Sequence, residues 1–120
     1  MALKTGKNRI FTEYALTHDT AVSNTMVSDV TGGSGVLYGF ELVAGAGNLF
    51  LRFYDSASAV AGTTVPKMAF IVPSGTTFSL NVPEGIPFTS GISYNATSTD
   101  ADPASSGGYG ATSTLYLYTT

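Results

Sequence analysis

A chain of 120 residues is of one-domain length and buries roughly two-thirds of its unfolded surface, enough for a single core. It has no cysteine, which excludes disulfides and thiolate metal sites, and its 5 basic against 8 acidic residues lack the basic surface that nucleic-acid binding needs. Only 11% of its residues are charged, where soluble domains average about 25%, so the surface is polar but weakly repulsive and suited to being covered by other subunits.

Helical periodicity is nearly absent. Gly and Pro recur at short intervals between segments rich in Val, Ile, Phe, Tyr and Thr, the pattern of an all-β sandwich. The expected architecture is a single jelly-roll-like sandwich of about seven or eight antiparallel strands, residues 35–120, preceded by an extended N-terminal arm with short leading strands, residues 1–34. Residues 1–9 hold three of the five basic residues, Lys4, Lys7 and Arg9. Ile10–Leu16 reads as a first strand, and 17–35 as polar and turn-rich with a short strand at Thr25–Val30. Gly32-Gly33-Ser34-Gly35 marks the expected boundary between arm and domain.

In Val36–Val43, alternation places Val36, Tyr38, Phe40 and Leu42 on one face and Leu37, Gly39, Glu41 and Val43 on the other. In Leu49–Asp55, Leu49, Leu51, Phe53 and Asp55 alternate with Phe50, Arg52 and Tyr54. A turn at Ala44–Asn48 would join the two as a hairpin and bring an outward Glu41 near an outward Arg52. Residues 56–66 read as a loop of small residues, Lys67–Pro73 as a strand, and Phe78–Pro83 as another. A turn follows at 84–88, then a strand at Ser90–Thr97 with Ile92 and Tyr94 on one face. Residues 98–111 read as an exposed loop, and Thr112–Thr120 as a closing strand with Leu115 and Leu117 inward and Tyr116 and Tyr118 outward.

No catalytic constellation emerges. His18 and Asp19 are adjacent, so in an extended segment their side chains point to opposite faces, and no serine elbow accompanies them. A turn or cap role is expected for the pair. Asp100 and Asp102 could open a calcium loop, but residues 103–120 contain no acidic ligand to complete it. Asp55 is expected to end its strand and cap the next turn. The glycine clusters lack the helix that a phosphate cradle feeds. No signal-peptide core opens the sequence, and no run approaches the roughly 20 apolar residues of a membrane span. The expectation is a non-enzyme without cofactor or metal, binding neither nucleic acid nor membrane.

Leu37-Tyr38-Gly39, Leu51-Arg52-Phe53-Tyr54-Asp55, Gly62-Thr63-Thr64, Pro73-Ser74-Gly75, Pro83-Glu84-Gly85 and Gly91-Ile92 together resemble a β-sandwich module of phage virion proteins, over residues 36–97. The resemblance implies a capsid decoration (cement) protein of jelly-roll type, often trimeric, whose partners are the major capsid protein or other virion subunits. Such a protein resides in the virion after assembly in the host cytoplasm. Interface residues are then expected in the leading segment (Lys4, Lys7, Arg9, Ile10, Phe11 and Tyr14) and among the late tyrosines (Tyr109, Tyr116 and Tyr118). The alternative is a carbohydrate- or receptor-binding module of a phage fibre or tail, with Tyr109, Tyr116 and Tyr118 stacking on sugars.

Overall fold

Alternating apolar residues become seven strands in the computed structural model, which describes residues 14–98 and 113–120. They are β1 (Ala15–Asp19), β2 (Gly35–Val43), β3 (Leu49–Asp55), β4 (Met68–Val72), β5 (Thr77–Phe88), β6 (Ile92–Thr97) and β7 (Thr114–Thr119). Two antiparallel sheets form, one ordered β1-β7-β2-β5 and the other β4-β3-β6, and their inner faces pack together. The chain is an all-β sandwich, as its pattern predicts.

The pairing is nested. β3 pairs with β4, β2 with β5, and β1 with β7, so the chain runs out and back as one long ribbon whose tip is the loop at 56–67. Between β1 and β2 a segment without regular strand geometry runs along β6. Val27 and Tyr94 exchange two backbone hydrogen bonds (2.9 and 3.0 Å), Ala96 N–H donates to Ser23 O, and Val30 N–H donates to Ile92 O. With residues 23–30 in the place of a strand, two sheets of four face each other in jelly-roll order. The segment also covers the edge of β6 that would otherwise stand open to another chain.

Between the sheets lie Leu37, Phe40 and Leu42 of β2, Leu49, Leu51 and Phe53 of β3, Ile92 and Tyr94 of β6, and Leu115 and Leu117 of β7. Phe40 is the hub of an aromatic cluster, with ring centroids 5.4 Å from Phe53, 5.1 Å from Phe70 and 5.6 Å from Phe78. Tilted and edge-on contacts at these distances are the favoured aromatic geometries.

Several expectations change. The leading segment is no arm over its described part: β1 lies in the four-stranded sheet, Val22 is buried, and Val27 and Val30 pack on the core. Gly32 and Gly33 form a turn tied down by Asp29, whose carboxylate accepts the Gly33 N–H at 2.7 Å. The first strand starts at Ala15 and reaches Asp19; Ile10 and Phe11 lie outside the described residues.

β2 and β3 form no hairpin, because the chain crosses between sheets at 44–48. Glu41 and Arg52 therefore sit in different sheets. Arg52, expected outside, is 1% exposed and donates to Thr97 Oγ1. The alternation in β2 is broken by a bulge between Leu37 and Gly39, so Leu37 joins Phe40 and Leu42 in the core while Tyr38 leaves it. Finally, the expected turn at 84–88 belongs to β5, an edge strand, where Pro83 and Pro87 are tolerated.

Candidate functional site

The outer face of the four-stranded sheet can be laid out from its register. β7 pairs with β1 and β2, and β2 pairs with β5, so one row across the sheet reads Leu16, Tyr118, Gly39, Asn81. The neighbouring row reads His18, Tyr116, Glu41, Ser79. The period-two rule puts both rows on the same side. Glycine at position 39 leaves the first row without a side chain at its centre, with a tyrosine on one flank and an amide on the other.

The result is a groove of about 390 Å³. Tyr14, Tyr38 and Tyr118 supply its aromatic walls, and Glu41, Ser79 and Asn81 its polar groups. Tyr14 and Tyr38 stack with centroids 4.7 Å apart and planes 28° from parallel. His18 stacks on Tyr116 at 4.6 Å, prolonging the aromatic surface toward the edge of the sheet.

Beneath this face, Tyr94 reaches across the core to Asp19 at the end of β1, its hydroxyl donating to Oδ2 at 2.8 Å. Burial, reinforced by the Asp19 carboxylate, pushes the Tyr94 phenol well above its usual range and keeps it protonated. Asp19 Oδ1 also accepts the Ala21 N–H, the turn role expected of it, whereas His18 is a strand residue in an aromatic stack.

Of the residues expected at an interface, the structure brings Tyr14, Tyr116 and Tyr118 together on this face. Lys4, Lys7, Arg9, Ile10, Phe11 and Tyr109 lie outside the described residues, as do Asp100 and Asp102. Sequence reasoning missed Tyr38 as a surface residue, and did not connect Glu41, Ser79 and Asn81. The available signal was Gly39 inside a strand, which marks a bulge.

The opposite sheet offers different chemistry. On the side of β3 and β6 turned away from the core, Arg52, Tyr54, Ser93, Asn95 and Thr97 are all buried. Tyr54 donates to Asn95 Oδ1 at 3.0 Å, Asn95 Nδ2 donates to Asn24 O at 3.2 Å, and Ser93 Oγ donates to Ser56 O at 2.6 Å. These bonds satisfy groups that would be costly to bury alone. They also leave Asn95 enclosed. Ile71 on β4 is 62% exposed, and Val60 and Val65 in the loop before it are 56% and 67% exposed. Among the described residues no group of three His, Asp or Glu side chains is placed to hold a metal ion.

No family model and no curated protein matches this chain. One solved structure, described as "Bacillus endospore appendages form a novel family of disulfide-linked pili", is similar at 17% identity over 89% of this chain and 81% of that one, with a TM-score of 0.49. A likeness that distant carries nothing about function.

Proposed function

We propose that this chain is a structural subunit of a bacteriophage virion, a capsid decoration protein that binds the outer shell and acts by interface burial without catalysis. The observation that carries the reading is β4, a strand with a single neighbour among the described residues, which bears the 62% exposed Ile71 and follows a loop with exposed Val60 and Val65. Exposed apolar side chains beside an open sheet edge invite another subunit, through both burial and main-chain pairing. Two of the segments that resemble the phage module flank β4 in the chain. Pro73-Ser74-Gly75 joins β4 to β5, and Gly62-Thr63-Thr64 lies in the ribbon tip.

The test is the solution mass of the full chain, followed by its retention on shells of the phage that encodes it. A stable trimer near three times the 12.4 kDa chain, retained on shells through washing, is expected. Ile71→Asp and Val65→Asp should lower the mass or release the protein, because a charge on the seam must be desolvated. A wild-type monomer that washes off the shells overturns the reading.

A further inference from the structure

The groove on the other sheet has a composition that the assembly reading does not use. We infer that it is a binding site for a neutral glycan, with a pyranose ring seated over Gly39 between Tyr118 and Asn81. The inference stands apart from the virion proposal, since it concerns the opposite face and is read on the chain alone.

Three features of the groove select this ligand class. A pyranose has an apolar face of C–H groups and an equatorial ring of hydroxyls. It therefore needs an aromatic wall and polar groups within one sugar's reach. Tyr118, 38% exposed, and the stacked Tyr14–Tyr38 pair supply aromatic surface, and the Tyr118 phenol can bond hydroxyls. Glu41 supplies an acceptor, Asn81 both donor and acceptor, and Ser79 a hydroxyl, on adjacent strands of one rigid sheet.

The second feature is size. About 390 Å³ falls in the range of small-ligand sites, roughly 300–1,000 Å³. A protein partner would instead need a face burying about 1,000 Å² or more. The third is charge. Among the described residues Glu41 is the only charged one lining the groove, and no described Lys or Arg lines it. A phosphate, sialic acid or uronic acid would meet a carboxylate with no cation among the described lining residues to offset it, so neutral or amine-bearing sugars are selected.

The floor enforces the opening. A Cβ at position 39 would lie 2.4 Å from the Leu80 carbonyl oxygen, so the gap between Tyr118 and Asn81 is fixed by backbone packing.

The experiment is calorimetric titration of the full chain with neutral oligosaccharides (glucans, galactans, N-acetylhexosamine oligomers) and with acidic oligosaccharides of equal length. Saturation-transfer NMR runs in parallel to identify the sugar protons in contact. At least one neutral series should bind saturably, with ring C–H protons receiving transfer, and the acidic series at least about tenfold more weakly. Tyr118→Ala should weaken binding about tenfold through the lost aromatic surface. Glu41→Gln should weaken it less and narrow the gap between neutral and acidic sugars. Thermal melting of each variant separates lost binding from lost fold. Absence of binding across the neutral panel, a preference for acidic sugars, or affinity indifferent to both groove variants overturns the inference.

Discussion

Asp55 shows how far a single side chain can act from its place in the sequence. It ends β3, as an aspartate there should, but its carboxylate reaches a turn 34 residues ahead. It accepts the Ser90 N–H at 2.8 Å and the N–H and hydroxyl of Thr89 at 3.1 and 3.2 Å. Those donors, the Ser90 N–H foremost, hold its carboxyl below the ordinary value of 3.8, against an opposing push from burial. A depressed folded pKa means stability that is complete above the ordinary value and lost as pH falls through the lowered one. Asp55→Ala should therefore cost about 1–2 kcal/mol near neutrality. The gap to wild type should shrink as pH drops below the carboxylate range. Urea unfolding at neutral and acid pH checks this, and a pH-independent gap counts against the carboxylate's role.

At the scale of elements, the bulge joining β2 and β5 decides which residues face the groove. Both strands change register there, with Leu37 opposite Ile86 and Gly39 opposite Asn81. The site was legible only in part for this reason. Tyr116 and Tyr118 follow strict alternation in β7, and their outward placement is readable from spacing alone. Tyr38 sits at the irregular step, where strict alternation assigned it to the wrong face. The bulge also ranks the glycines. At Gly39 an added methyl group meets backbone, which cannot move aside, whereas at Gly75 it meets open space and only the positive φ of 71° opposes it. Gly39→Ala should thus cost more than about 2 kcal/mol, and Gly75→Ala about 1 kcal/mol. Chemical denaturation of the two variants checks the order, and equal costs would falsify the account of the bulge.

At the scale of the whole molecule, the ribbon explains what a strand-by-strand reading could not supply. Local pattern shows where strands are, and five of the seven are recovered within a few residues. It carries no record of which strands pair when partners lie far apart, and here β1 pairs with β7 across nearly the whole chain. That long reach also hid the role of residues 14–34, which look like a polar leader and are instead the outer turn of the roll. β1 pairs along all five of its residues, Val22 fills the core, and the 23–30 segment holds the edge of β6. Tyr94 and Asp19 tie these parts across the sandwich. A chain beginning at Gly35, at the boundary that the glycines suggest, loses all of this together. It bares the edges of β6 and β7, takes Val22, Val27 and Val30 from the core and strips the Tyr94 hydroxyl of its carboxylate. Each large apolar deletion alone costs about 1–3 kcal/mol, against a total stability of about 5–15 kcal/mol. That shortened chain should lose its cooperative unfolding transition or aggregate through its bared edges, as followed by circular dichroism and light scattering. If it unfolds cooperatively at the denaturant midpoint of the full chain, the leading segment is an appendage after all.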